Sequence, residues 1–149
     1  MKVNDCWLKH VPEEVVQHNS IIVMWDKAIL TAKKVGCNQP DITVHDTKER
    51  ECVFVDVLIP VCNNVIKKEA EKITKYRDLE IEVQKCWNLQ KVRTIPIVIG
   101  ALGTVSKGLK EYMKALAPNI SMCTVQKTTL LGTAHIIRNF LTPRRNSPS

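Results

Sequence analysis

Cys52-Val53-Phe54-Val55-Asp56-Val57-Leu58-Ile59 is a run of β-branched, aromatic and other apolar residues interrupted by one carboxylate. Apolar residues on both sides of Asp56, with no polar alternation, are the pattern of a strand covered on both faces. An ionised carboxylate in such surroundings costs several kcal/mol unless it is paired, hydrogen-bonded or bound to a metal. Asp56 therefore requires a partner. Taken alone, it is equally compatible with a strand-end carboxylate that reaches a solvated crevice or caps the following loop.

The sequence on either side supplies candidates. Pro40-Asp41-Ile42 places a second carboxylate fifteen residues upstream, at the opening of another short strand, and Lys72 follows sixteen residues downstream. Asp41-Ile42-Thr43-Val44-His45 and the run from Glu51 to Val61 are both strand-like, and the polar stretch Asp46-Thr47-Lys48-Glu49-Arg50 between them predicts an antiparallel hairpin. From Asn64 to about Asn88, Ile66, Ala70, Ile73, Tyr76, Leu79, Val83 and Cys86 recur in steps of three and four. That spacing predicts one long amphipathic helix. Thr94 to Gly100 reads as a further strand, with Pro96 implying an edge, an end or a bulge. Strand, helix, strand implies a parallel crossover.

The flanks complete an α/β reading, a small mixed sheet flanked by helices with additional carboxyl-terminal helices. Ser20 to Lys34 carries Ile22, Trp25, Ile29 and Leu30 at helical spacing, with Gly36 as a stop. Ser106 to Ala117 is a second helix, with Leu109, Tyr112, Met113 and Leu116 on one side and Pro118 as terminator. Met122 to Leu141 is a third, with Val125, Leu130, Ala134, Ile137 and Leu141 inward and Gly132 as a weak point. Residues 1–141 are expected to form one domain, and residues 142–149, rich in Pro, Ser and Arg, a disordered tail.

Composition sets the class. The chain has 149 residues, 44% of them apolar and 25% charged, as in a globular domain able to bury a core. No stretch approaches the length of a membrane span, and Met1-Lys2-Val3-Asn4-Asp5 is no signal peptide. The six cysteines, Cys6, Cys37, Cys52, Cys62, Cys86 and Cys123, show no C-x-x-C spacing, which favours core thiols in a reducing compartment over a disulfide framework or a zinc site. The net charge of +7 is unevenly placed, since residues 81–149 carry ten Lys and Arg against only Glu82 and Glu111. Such a basic half suits a polyanion such as DNA, although many basic faces are merely solvated.

Two strand carboxylates and a following lysine suggest a divalent-metal nuclease site. Asp41 and Asp56, on neighbouring antiparallel strands, suit one Mg²⁺ or Mn²⁺, with the backbone carbonyl of Val57 as a third ligand. Leu58 stands two residues after the second acid, where a strand-borne lysine usually lies, so the cation must come from the next helix. Lys72, Lys75 and Tyr76 fall within about one turn there, although interleaved Glu69 and Glu71 also fit a solvated face. Gly100-Ala101-Leu102-Gly103-Thr104 reads as a strand-to-helix turn in preference to a phosphate cradle. The four histidines show no paired spacing, and Trp7, Trp25 and Trp87 read as core.

Asn38-Gln39-Pro40-Asp41-Ile42, Val55-Asp56-Val57 and Glu71-Lys72-Ile73-Thr74-Lys75-Tyr76 together resemble the restriction-enzyme-like endonuclease domain at the carboxyl end of non-LTR retrotransposon polyproteins. Trp7 to His10, Pro12-Glu13, Trp25-Asp26, Ile95 to Ser106 and Gln126 to Ala134 extend the likeness over nearly the whole chain. The resemblance implies a PD-(D/E)xK fold whose lysine has migrated from strand to helix. It also implies nicking of DNA to prime reverse transcription, in the nucleus, beside a reverse transcriptase domain of the same element. By that likeness Asp41 and Asp56 are metal ligands, and Lys72, Tyr76 and Lys75 are helix-borne catalytic residues. The sequence departs from the pattern at Ala32, where an acid commonly follows Thr31, and at Asn38-Gln39, where basic residues commonly precede the Pro-Asp. Those losses would weaken metal and phosphate binding, and a catalytically inactive or repurposed DNA-binding or structural relic of the domain is the alternative. From Met1 the sequence has no room for a reverse transcriptase or a Cys/His knuckle, so those functions are expected from another polypeptide or to be absent.

Overall fold

The computed structural model describes residues 14–61, 64–116 and 122–141. The expected tail at 142–149, and Trp7, His10, Pro12, Glu13, Cys6, Cys62 and Pro118, lie outside them. The protein is mixed α/β, with a five-stranded sheet in the order β1-β2-β3-β4-β5. Its strands are β1 (Val15–His18), β2 (Ile21–Trp25), β3 (Ile42–Asp46), β4 (Glu51–Leu58) and β5 (Lys91–Val98). Its helices are α1 (Val65–Lys75), α2 (Arg77–Cys86), α3 (Leu109–Leu116) and α4 (Met122–Leu141). Of the described residues, those up to Asp56 with Lys72–Ile95 form one compact unit. Val57–Glu71 with those from Pro96 onward form the other.

In the first unit the predicted hairpin is present. β3 and β4 pair antiparallel, with Ile42 opposite Val55 and Asp46 opposite Glu51. Asp46 Oδ1 closes the turn by accepting the Lys48 and Glu49 amides at 2.9 and 3.1 Å, and Arg50 leaves it in the left-handed region at φ 55°. β5 lies beside β4 at the sheet edge. Gln90 N–H donates to Arg50 C=O where both strands begin, and in the second unit Ile99 N–H donates to Leu58 C=O where both end. The two strands therefore run parallel, and Pro96 sits in an edge strand, the position its missing N–H requires.

The segment Ser20 to Lys34 is not a helix. Ile21-Ile22-Val23-Met24-Trp25 is apolar without a break and opens with three β-branched residues, and it forms β2, paired on one side with β1 and on the other with β3. Asn19, at φ 52°, makes the tight return from β1. Beyond Trp25 the chain is a loop. The spacing of Ile22, Trp25 and Ile29 matched a helical period by coincidence of two different environments.

The single helix expected from Asn64 to Asn88 is two. The chain breaks at Tyr76, whose φ of −100° and ψ of 7° lie outside the helical basin. The three-four spacing survives the break, because Tyr76, Leu79 and Val83 still pack together with Phe54, Cys52, Ile29 and Leu89 in one core. Its ends do not: Ile66 is 77% exposed, and Ala70 and Cys86 are also at the surface. Burial pushes the Cys52 thiol up to about 12, so it stays protonated and inert. Alkylation of the native protein followed by mass mapping is expected to label exposed Cys86 and Cys123 and to spare Cys52 until denaturant is added.

In the second unit, Ile99, Leu109 and Met113 form a small core against which Ile97, Val105 and Val125 pack. Gly100 to Thr104 is a closed return and not a simple lead into a helix, since Gly100 N–H donates to Thr104 C=O at 2.7 Å and Ile99 bridges Val105. Gly103 sits at φ 86°, open to glycine without strain. α4 spans the expected residues, but Ala134 and Ile137 face outward. Its covered face runs through Val125 and Thr129. At 3.6 residues per turn, Ala134 is about 140° and Ile137 about 80° from Thr129 around the helix. Among the described residues no helix is long and apolar enough to cross a membrane.

Candidate functional site

The even-numbered residues of β4, Cys52, Phe54 and Asp56, share one face, because strand side chains alternate. Cys52 and Phe54 enter the core under α2, and Asp56 extends the same row to 2% exposure. Tyr76, at the break between α1 and α2, is fully buried over that row. Its hydroxyl lies 2.9 Å from Asp56 Oδ1 and 3.1 Å from the Gln39 carbonyl oxygen. It donates its one proton between these two acceptors. Lys75 Nζ in turn donates to the Tyr76 hydroxyl at 3.0 Å, and its charge lies 4.7 Å from the centroid of the ring.

The other carboxylate oxygen has a different environment. Lys72, one turn before Tyr76 on α1, forms an ion pair with Asp56 Oδ2 and is itself only 18% exposed. No other donor among the described residues reaches Oδ2. The ammonium neutralises that oxygen by direct contact. Asp56 thus has one oxygen hydrogen-bonded by a phenol and one that is buried and occupied by an ammonium.

Asp41 stands just outside β3. The ladder ends with Ile42 opposite Val55, and its register continued by one residue would set Asp41 against Asp56. The charge of Asp41 also contributes to raising the Tyr76 pKa. Val57 follows Asp56 in β4 with its side chain exposed, as alternation requires. Asp56, Lys72, Lys75 and Tyr76 therefore form one connected network, with Asp41 at the adjoining register position. No three or more His, Cys, Asp or Glu side chains among the described residues gather into a metal cage. Mg²⁺ does not need one, since it commonly binds through one or two carboxylates and keeps several waters. The Asp56 carboxylate, with Asp41 at the adjoining register position, is a donor set of that size, and an ion on Oδ2 would displace the Lys72 ammonium from it.

Burial, then the hydrogen bond to Asp56 and the charges of Asp56 and Asp41, raise the Tyr76 phenol above its ordinary 10. A raised folded-state pKa contributes stability that is complete below the unfolded value and is lost as pH rises through the folded one. Tyr76→Phe is therefore expected to cost about 1–3 kcal/mol at neutral pH, by leaving Asp56 Oδ1 without its donor. Urea melts should show that deficit narrowing as the pH passes about 10, the unfolded phenol's value.

Three further residues contribute: Asn38 and Gln39, read from the sequence only as departures from the family pattern, and Glu80, which was not singled out. Gln39 and Asn38 hold the loop that precedes Asp41. Gln39 Nε2 donates to the Asp26 carbonyl and to Asp26 Oδ1 at 2.8 and 2.9 Å, and Asn38 Nδ2 donates to the Ile29 carbonyl at 3.3 Å. Glu80, one turn after Tyr76, is a buried carboxylate that accepts a 2.6 Å hydrogen bond from Thr94 on β5 and faces Arg77 at 3.4 Å. The signal for the two amides was their position immediately before Pro40-Asp41. For Glu80 it was an acid set between Leu79 and Val83.

No protein-family model matches this sequence, and no curated protein shows significant similarity to it.

Proposed function

We propose that this chain is a metal-dependent DNA endonuclease of restriction-enzyme-like fold, corresponding to the domain of a non-LTR retrotransposon polyprotein that nicks target DNA to prime reverse transcription. Its setting would be the nucleus, beside the reverse transcriptase domain of the same element. The observation that carries the reading is Asp56, a carboxylate 2% exposed and matched by Lys72 and Tyr76 from the following helical segment. Burying a charge at the end of a sheet strand and surrounding it with an ammonium and a phenol is costly for a purely structural purpose. It suits a site in which charge develops on a phosphodiester.

Asp41 and Asp56 would hold Mg²⁺ or Mn²⁺, with the Val57 carbonyl as a further oxygen. When bound, the ion supplies charge stabilisation to the phosphoryl oxygens and a lowered pKa to an attacking water. Lys72 brings a positive charge to the same carboxylate and would stabilise negative charge as the phosphodiester opens. Tyr76 fixes the orientation of Asp56 through Oδ1, and Lys75 fixes Tyr76. Relaxation of supercoiled plasmid in Mg²⁺, with a chelator control, tests the assignment.

A second reading is favoured by one observation. The direct Lys72–Asp56 ion pair compensates the buried charge with no metal, which suits a catalytically inactive DNA-binding relic. That reading requires salt-sensitive DNA binding with no nicking in either Mg²⁺ or Mn²⁺.

A further inference from the structure

The loop between β2 and β3 is fastened at its base and bare at its tip. At the base, Asp26 N–H donates to Asp41 C=O and Ile29 N–H to Asn38 C=O, both at 2.8 Å, beside the side-chain bonds of Gln39 and Asn38. Ile29 is buried in the core, and Val35 and Cys37 pack against the same cluster. Between these anchors Leu30 is 88% exposed, and Lys33 and Lys34 are exposed. Thr31 shapes the turn by donating its hydroxyl to the Lys33 carbonyl at 2.6 Å. Lys33 and Lys34 border a cleft of about 190 Å³ whose other wall includes Asp78 and Glu82 of α2. Among the described residues neither ammonium is in an ion pair, whereas Lys27 is held by Glu14 and Lys85 by Glu82.

We infer that this loop is a DNA-gripping element, with Lys33 and Lys34 on backbone phosphates and Leu30 entering a groove against the base edges. The inference rests on the nuclease reading for its choice of polyanion. Two unpaired cations on a preorganised loop contact phosphate without first ordering the backbone that carries them. A leucine with nearly all its surface in water gains by leaving water, and apolar wedges of this kind open base steps in DNA-bending proteins. The loop ends at Pro40-Asp41, so duplex held here is delivered to the Asp41–Asp56 position. Asn38 and Gln39 hold the loop while Lys33 and Lys34 supply its charge.

The test measures binding of a short mixed-sequence duplex by fluorescence anisotropy between about 50 and 200 mM salt, where phosphate contacts dominate the salt dependence. Lys33→Ala/Lys34→Ala is expected to weaken binding about tenfold or more and to flatten the slope of log K against log salt by about 2, roughly 0.9 per lost phosphate contact. Leu30→Ala is expected to weaken binding about tenfold with the slope unchanged. Lys107→Ala/Lys110→Ala, which alters exposed cations of the other unit, serves as the comparison. Unchanged affinity in either loop variant, or a larger loss in the comparison variant, overturns the inference. If the wild type nicks plasmid while the loop variants bind like wild type, the loop assignment fails and the nuclease reading stands. If the wild type binds without nicking and the loop variants lose binding, the loop assignment stands and the nuclease reading fails. A wild type that does not bind DNA at low salt overturns both.

Discussion

Asp56→Asn is expected to leave supercoiled plasmid intact in Mg²⁺ under conditions where the wild type relaxes it, a loss of roughly a thousandfold or more. The magnitude follows from the chemistry assigned to the site. Charge stabilisation by a bound divalent ion contributes several kcal/mol at the transition state, and about 4 kcal/mol is a factor of a thousand in rate. Asparagine keeps the shape of the side chain and an acceptor oxygen for Tyr76, so the variant should fold and bind DNA. It removes the charge that would hold the ion. Nicking at the wild-type rate by a folded Asp56→Asn protein would remove Asp56 from the site, and with it the proposal as stated. Manganese, tried in place of magnesium, guards against mistaking weakened ion binding for lost chemistry.

The hairpin of β3 and β4 was legible because each strand is short, β-rich and bounded by a polar turn, and because antiparallel pairing fixes its register locally. Continued one residue beyond the ladder, that register would set Asp41 against Asp56. Lys72 and Tyr76 were legible for a related reason: a helix following a strand returns across it, and residues four apart share a face. The break at Tyr76 was hidden, since apolar spacing reports which residues are buried and says nothing of a single residue whose backbone leaves the helical basin to place a hydroxyl on a carboxylate. β2 was misread because five consecutive apolar residues satisfy any period, and only pairing on both sides distinguishes a central strand from a helix. The work of Asn38 and Gln39 depends on where the chain returns after a long loop. No local pattern encodes that.

Lys72→Met should cost the most stability, about 3–5 kcal/mol, because it leaves the Asp56 carboxylate buried with Tyr76 as its remaining named partner. Asp56→Asn alone should cost less, since the surviving ammonium can turn toward water from a side chain already 18% exposed. The double variant Lys72→Met/Asp56→Asn is expected to recover most of the loss, so that a double-mutant cycle in urea gives a coupling of at least about 2 kcal/mol. The same variant separates the two readings of the site by a measurement that needs no DNA. If Asp56 holds a divalent ion, Lys72→Met presents it with an uncompensated buried carboxylate. Mg²⁺ should then raise the melting temperature of the variant more than that of the wild type, through preferential binding to the folded state. An equal, small shift in both proteins would mean that Asp56 is matched to the lysine and not to a metal, as the relic reading requires. A Mg²⁺ response that disappears in Lys72→Met/Asp56→Asn would assign the ion to Asp56 and make Lys72 the ammonium that occupies its oxygen in the resting protein.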